Sequence, residues 1–149
     1  MDKVDIEGLI LTPLNRIHNP NGDILHGLKR SEAEFTSFGE AYFSMINNGS
    51  IKGWNKHKVM TLNLIVAIGE VSLVVYDDRE KSNTNGSFYT IELSQLNYKR
   101  LTVPPGLWLA FKGKGSQSNL ILNIASIEHD SEEIERKPLE QINYNWQLV

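Results

Sequence analysis

The chain has 149 residues, a formal net charge of −3 and a hydrophobic share of 40%, which predicts a single globular domain over residues 1–149. Its mixed charges contain no basic block typical of a nucleic-acid partner, and no apolar run approaches the ~20 residues of a membrane span. The acidic start of the chain does not resemble a signal peptide. The absence of cysteine excludes disulfides and thiolate metal sites, and we expect a cytoplasmic protein.

The first third of the sequence predicts short strands between turns. Val4–Leu14, Ile24–Leu28 and Glu40–Ile46 are apolar enough for strands, and Asn-Pro and Asn-Gly pairs mark turns before the second of them. Within Ser31–Phe38 a serine is followed three residues later by a glutamate, which is the spacing of a capping box. We therefore expect one helical turn there.

The middle of the chain carries the strongest strand signal. Apolar residues alternate with others along Thr61–Ile68 and again along Val71–Tyr76, with Gly69-Glu70 between the two runs. Two such runs around a two-residue break predict a β-hairpin. The polar run Asp77–Gly86 that follows predicts a loop.

The last third continues in the same style. Strands are predicted at Phe88–Leu93, Arg100–Val103, Leu107–Phe111 and Asn119–Ala125, and the charged run Glu128–Glu140 predicts a short helix or a solvated loop. The whole chain thus has about nine short strands with turn signals between them and little helix. This pattern is typical of an all-β sandwich or barrel.

Five segments, in order along the chain, resemble the dTDP-4-dehydrorhamnose 3,5-epimerase family. Gly22-Asp23 followed by Gly27 is similar to the family segment GDxRG, and GSIKGWNKH is similar to GVxRGLHxQ. AIGEVSLVVYDDR resembles VxGEVxDVxVDxR. LSQLNYKRLTVPPGLWLAF resembles LSxxNxxxLxIPxGxAHGF, and INYNW resembles a terminal IxW.

The resemblance implies a fold and a ligand class. The fold is an all-β double-stranded β-helix, the cupin-like jelly roll barrel, and the protein would be a homodimer that exchanges strands. The ligand would be a nucleotide-linked sugar, such as a dTDP-linked keto sugar, bound in the mouth of the barrel. The setting would be deoxysugar or surface polysaccharide biosynthesis, and no metal or other cofactor is implied.

The resemblance fails at the residues that carry the family's chemistry. A 3,5-epimerase removes a proton beside a ketone with a histidine base held by an aspartate, and returns a proton from a tyrosine, while a lysine stabilises the enolate. Asn55 stands at the base position, and an amide cannot act as a general base at neutral pH. The acid, lysine, second histidine and aspartate positions fall near Leu122, Leu62, Leu109 and Leu139.

One replacement base is available. Asn55 and His57 are two residues apart, so both would point to the same face of an extended strand. His57 could then serve as the catalytic base, with Tyr76 or Tyr98 as the proton donor. The alternative is a histidine at the rim of the pocket without a catalytic role.

Five residues in the matched segments are predicted to contact the substrate. Lys52 keeps the positive charge of the family's phosphate-binding arginine but loses its bidentate geometry. Aromatic rings at the barrel mouth would suit a base or a sugar ring. The predicted substrate-binding residues are Lys52, Trp54, Asn55, Arg79 and Trp108.

Three functions remain open from the sequence. The first is an epimerase or isomerase with an altered active site, and the second is a sugar-nucleotide-binding subunit without catalysis. The third is a cupin module with an unrelated small ligand. A metal site built from His18, His26 and His57 is a weaker alternative, because the segment matching the metal-binding cupins is one ligand short.

Overall fold

The computed structural model describes residues 4–149 of the chain, which are built almost entirely from strands and turns. Two short 3-10 helices, Leu139–Gln141 and Trp146–Leu148, lie near the end of the chain. The strands of the described residues are β1 (Ile10–Pro13), β2 (Arg16–Ile17), β3 (Ile24–Leu25), β4 (Glu40–Met45), β5 (Ile51–His57), β6 (Leu62–Ile68), β7 (Glu70–Tyr76), β8 (Phe88–Ser94), β9 (Lys99–Val103), β10 (Trp108–Gly113), β11 (Leu120–Ala125) and β12 (Ile134–Arg136).

Two five-stranded antiparallel sheets enclose the main core. One has the order β1-β9-β6-β11-β4 and is called the β4 sheet; the other has the order β12-β5-β10-β7-β8 and is called the β5 sheet. Both sheets supply apolar side chains to one cluster, such as Leu64 and Ile121 from the first and Leu73 and Leu109 from the second. The cavity described below lies between the same two sheets.

The predicted hairpin of the central block is wrong. Both runs are strands, but β6 belongs to the β4 sheet and β7 to the β5 sheet. Gly69, with a φ of +78°, turns the chain from one sheet to the other, and a side chain there would collide with the backbone of Ser118 and with Asn119. Asn119 Oδ1 accepts a hydrogen bond from the Glu70 amide and fixes this crossover. Alternation predicts a strand but does not identify its partner.

Other boundaries differ from the expectation as well. Of Val4–Leu14 only β1 is a strand, and Ser31–Phe38 contains turns instead of a helical turn. The predicted capping box paired Ser31 with Glu34. In the structure the Glu32 carboxylate instead accepts a hydrogen bond from the Lys29 amide. The run Glu128–Glu140 contains the short strand β12, which pairs with β5.

The chain covers the outer face of the β5 sheet with its last residues. Trp54, Trp108 and Ile142 form a second buried cluster there, against which Tyr144 and Trp146 pack. This cluster lies on the opposite side of the sheet from the main core. In the part of the chain that the structure describes, no helix is long and apolar enough to cross a membrane.

Candidate active site

A cavity of about 170 Å³ lies between the two sheets. Its floor is apolar, and polar side chains line it from both sides. Tyr42, Ser44 and Asn123 come from the β4 sheet, and Lys52, Asn55 and His57 come from the β5 sheet. The apolar lining residues are Leu62, Leu64, Leu109, Phe111 and Ile121.

A β-bulge sets which residues of β5 face this cavity. Leu109 of β10 lies opposite Asn55, but Phe111 lies opposite Lys52, so β5 contains one extra residue between the two pairs. The extra residue brings Lys52 and Asn55 to the same face although they are three apart. Gly53 allows the bulge, because it has a φ of +147° and a Cβ atom there would lie 2.4 Å from the Cβ of Ala110.

His57 is hydrogen bonded to a buried carboxylate at the wall of the cavity. Its Nδ1 atom contacts Glu133 Oε1, and the His57 and Glu133 side chains are only 12% and 6% exposed. The second carboxylate oxygen accepts hydrogen bonds from the backbone amides of Val59 at 3.1 Å and Met60 at 3.2 Å. With Nδ1 held as the donor to a carboxylate, Nε2 is the ring nitrogen that can accept a proton from a ligand.

Glu133 is kept ionised by these contacts. Burial acts to raise the pKa of its carboxyl, but the hydrogen bonds from His57 and from the Val59 and Met60 amides outweigh burial and lower the pKa below its usual value. The pairing of β12 with β5 places Ile134 opposite His57, which brings the preceding Glu133 to the imidazole. Sequence reasoning missed this residue, because the family's aspartate position was matched to Leu139.

A tyrosine lines the cavity from the other sheet. Tyr42 lies on the edge strand β4, and its hydroxyl oxygen accepts a hydrogen bond of 3.1 Å from the Asn123 amide group on β11. Asn123 is buried at 3% exposure. Sequence reasoning missed Tyr42, although it lies on a predicted strand where it points to the face opposite that of Phe43 and Met45.

The Lys52 side chain reaches from β5 to the edge strand β4 on the other sheet. Its ammonium group donates hydrogen bonds to Ser44 Oγ at 3.3 Å and to the Met45 carbonyl. Among residues 4–149 it has no carboxylate partner within ion-pair distance. Lys52, Asn55 and His57, three of the residues predicted to form the site, are thus brought together in the structure.

The predicted aromatic residues do not line the cavity. Trp54 and Trp108 are buried on the outer face of the β5 sheet, where the Trp108 indole donates a hydrogen bond of 2.8 Å to Asp78. Tyr76 stacks on Phe88 on that face as well. In a strand, neighbouring residues point to opposite faces, so Trp54 points away from the cavity that Asn55 lines.

Arg79 and Tyr98 also have other contacts. The Arg79 guanidinium pairs with the buried Asp77 carboxylate at 2.9 Å and donates to the Glu7 carbonyl, so it holds a loop together. Tyr98 donates to the His26 carbonyl, and burial raises the pKa of its phenol. Both lie outside the cavity lining.

Two of the leucines at the family's catalytic positions, Leu62 and Leu109, line the cavity, whereas Leu122 lines a separate apolar hollow on the outer face of the β4 sheet. Leu139 packs in the outer cluster of the β5 sheet. Among residues 4–149 there is no group of three or more side chains suited to binding a metal ion.

Solved structures share this architecture. A dTDP sugar isomerase from Desulfovibrio desulfuricans G20 is 34% identical, with a TM-score of 0.95 over 100% of this chain and 97% of that chain. A dTDP-4-dehydrorhamnose 3,5-epimerase from Elizabethkingia anophelis NUHP1 is 18% identical, with a TM-score of 0.83 over 98% of this chain and 85% of that chain. The second likeness supports the fold alone. Together they confirm the predicted jelly roll.

Sequence comparison also finds proteins of glycan biosynthesis. The probable low-salt glycan biosynthesis epimerase Agl13 of Haloferax volcanii is 29% identical over 94 residues, which span 62% of this chain and 60% of that protein. The spore coat polysaccharide biosynthesis protein SpsL of Bacillus subtilis is 23% identical over 145 residues, or 95% of this chain and 96% of that protein. No protein-family model matches the chain.

Proposed function

Because the chain belongs to the family of dTDP-sugar isomerases and dTDP-4-dehydrorhamnose 3,5-epimerases, we propose that it binds a nucleotide-linked keto sugar in the cavity between its sheets. There it moves a proton at a carbon beside the ketone, with His57 as the base. The proposed substrate is dTDP-linked, and the setting is the biosynthesis of a glycan or surface polysaccharide. The expected cytoplasmic location and a homodimer are parts of the same proposal.

The hydrogen bond between His57 and Glu133 is the observation that carries this proposal. A general base needs a proton-accepting atom in the cavity and a neighbour that stabilises the cation formed when the proton arrives. His57 offers Nε2 for the first purpose. Glu133, ionised and held by two backbone amides, serves the second. Asn55, at the position of the family's base, can only hydrogen bond.

Tyr42 is the proposed proton donor. It reaches the cavity from the β4 sheet, whereas His57 reaches it from the β5 sheet. A sugar ring held between the sheets would lose a proton on one side and receive one on the other, which inverts the configuration of the carbon. Tyr42 takes the role predicted for Tyr76, because Tyr76 is on the outer face of the β5 sheet.

The cavity is too small to enclose the whole proposed substrate. Its volume of about 170 Å³ is below the ~300–1,000 Å³ of sites that enclose a drug-sized ligand. We therefore place the sugar ring inside and the nucleotide at the mouth. Lys52 supplies a positive charge for a phosphate group there, as a point charge without the paired donors of an arginine.

A homodimer is supported by the edge of the β4 sheet. The outer strand β4 exposes Phe43 and Met45, with 65% and 61% of their surfaces accessible. Beside them is the apolar hollow that contains Leu122 and Leu120. Apolar surface next to an unpaired strand edge suits pairing with a second copy of the chain. Size-exclusion chromatography with light scattering would test this part.

Exchange of solvent deuterium tests the catalytic proposal. The protein is incubated in D₂O with a dTDP-linked 4-keto-6-deoxy sugar, and deuterium in the sugar is followed by mass spectrometry and NMR. We expect exchange beside the ketone with the wild type and its loss with His57→Asn. The amide at Asn55 favours a second candidate, a binding subunit without catalysis. Ligand-induced stabilisation without exchange in the wild type would contradict the enzyme and support that binder.

A further inference from the structure

Asn123 has a buried polar atom without a partner at the wall of the cavity. It lies on β11 between Tyr42 of β4 and Leu64 of β6, and only 3% of it is exposed. Its Nδ2 atom donates to the Tyr42 hydroxyl at 3.1 Å. Its Oδ1 atom has no hydrogen-bond partner among residues 4–149.

Such an oxygen is unusual in a folded protein, where nearly all buried polar atoms are paired. Leu64, which lies opposite Asn123 on β6, and Ile121, two positions away on β11, are apolar and cannot pair with it. Turning the amide over does not remove the problem. Oδ1 would then accept the Tyr42 hydroxyl proton, and Nδ2 would be the atom without a partner. In either orientation one amide atom of Asn123 is left for a ligand.

We propose that Asn123 determines specificity by hydrogen bonding to a hydroxyl group of the sugar ring, an inference that rests on the proposed function. A hydroxyl both donates and accepts, so it satisfies either orientation of the amide. A phosphate only accepts, so it could satisfy the amide in one of the two orientations only. The site therefore selects a sugar that is hydroxylated on the side facing β11 over one that is deoxygenated there.

Asn119 provides a matched comparison. It directly precedes β11 and is 1% exposed, but all of its amide atoms are used. Oδ1 accepts from the amides of Glu70 and Gly115, both at 2.9 Å, and Nδ2 donates to the carbonyls of Ile46 at 3.1 Å and Gly115 at 3.0 Å. Asn119 thus represents a buried asparagine with a structural role.

The experiment compares Asn123→Leu with Asn119→Leu. Asn123→Leu removes the unpaired Oδ1 together with the hydrogen bond to Tyr42, whose hydroxyl belongs to a residue that is 43% exposed and can bond to water instead. The melting temperature of the free protein should therefore change little. Asn119→Leu should lower it, because it leaves several backbone groups unpaired. Affinities for dTDP-glucose and for dTDP alone are then measured by calorimetry. Asn123→Leu should weaken dTDP-glucose binding about tenfold and leave dTDP binding unchanged.

Several results would overturn the inference. Wild-type affinity of Asn123→Leu for dTDP-glucose would do so, and so would an equal loss of affinity for both ligands, since dTDP lacks the glucose ring that is proposed to contact Asn123. A fall in melting temperature as large as that of Asn119→Leu would assign Asn123 a structural role. If Asn123→Leu does not fold, Asn123→Ala gives the same comparison of the two ligands. If the wild type binds neither ligand, the proposed function itself fails. If the wild type binds both ligands and Asn123→Leu binds them equally well, only the inference about Asn123 fails.

Discussion

His57 and Glu133 are 76 residues apart in the sequence, yet their side chains are hydrogen bonded to each other at the wall of the cavity. The carboxylate also accepts hydrogen bonds from the Val59 and Met60 amides, in the turn that follows His57. One buried acidic group therefore orients the imidazole and anchors the backbone next to it.

Replacing Glu133 by glutamine should abolish most exchange activity. A glutamine can still accept from the Val59 and Met60 amides through its oxygen, but its NH₂ group then faces His57 Nδ1. This favours the tautomer with the proton on Nε2, which cannot act as a base. We expect deuterium exchange to fall at least about 100-fold, with a small change in melting temperature.

The control for this prediction is Glu135→Gln. Glu135 is 45% exposed, and its ion-pair partners among residues 4–149 are Lys56 and Lys58, at 3.7 Å and 4.0 Å. The Glu135→Gln substitution removes one negative charge near the cavity but changes no contact of His57. Deuterium exchange should therefore remain at the wild-type rate. Equal rates in the two variants would show that Glu133 does not act through the imidazole.

Replacing Tyr42 by phenylalanine should remove the proposed proton donor. The ring remains in place, and Tyr42 is 43% exposed, so the melting temperature should change little. Loss of a general acid typically costs about 10²–10⁴-fold in rate, and we expect turnover with a dTDP-linked keto sugar to fall within that range.

Tyr76→Phe is the companion variant, because Tyr76 packs on Phe88 away from the cavity. Its turnover should match that of the wild type. If Tyr76→Phe were inactive and Tyr42→Phe active, the donor predicted from the sequence would be the correct one and the assignment to the β4 sheet would fail.

Trp108 should matter for stability and not for the ligand. It is 1% exposed, and the ammonium groups of Lys56 and Lys137 lie 4.8 Å and 4.7 Å from the centre of its ring system. Trp108→Ala should lower the free energy of unfolding by about 3–5 kcal/mol. Chemical denaturation measures this change. The folded protein should bind dTDP as the wild type does, and weakened binding without a loss of stability would place Trp108 in the ligand site after all.

Asp77 should make stability depend on acid pH. Burial acts to raise the pKa of its carboxyl, but hydrogen bonds from Arg79, Ser82 and Thr84 outweigh burial and lower the pKa well below its usual value. The unfolded chain therefore binds this proton more readily than the folded chain. Stability from Asp77 is fully present above about pH 4 and is lost as the pH falls below it.

Unfolding by urea at pH 6 and pH 3 measures this effect. Asp77→Asn should be less stable than the wild type at pH 6 by about 2–4 kcal/mol, because five donors lose a charged acceptor. The difference should shrink at pH 3. Glu32 and Glu133 also have lowered pKa values and titrate in both proteins, so a constant difference between the two pH values would contradict the role of Asp77.

The strands could be predicted from the sequence because each depends on local alternation and on turn residues. Their partners could not, because pairing depends on contacts far apart in the chain. The runs that become β6 and β7 are adjacent in sequence, yet each pairs with strands that come much later, β11 and β10. The resemblance to a family supplied what the alternation lacked, namely the jelly roll connection.

One residue of the proposed catalytic pair, His57, could also be predicted from the sequence. His57 is predicted from its spacing to Asn55 on one strand, which is a local relation. Glu133 lies in a charged run where nothing distinguishes it from Glu132 or Glu135. Only the pairing of β12 with β5 selects it. Trp54 was assigned to the cavity because it lies in a matched segment, but it directly precedes Asn55 on β5 and so points to the other face.

The bulge at Gly53 also limits how this protein can change. The bulge separates two parts of β5, and the alternation of inward and outward side chains shifts by one residue between them. Lys52 lies before the bulge, and Asn55 and His57 lie after it. Substitutions in either part alter one half of the cavity lining and leave the other half in register. A side chain at Gly53 would collide with Ala110, and an inserted or deleted residue would turn one half toward the outer cluster. New ligand preferences can therefore evolve on this strand by exchange of residues but not by a change in its length.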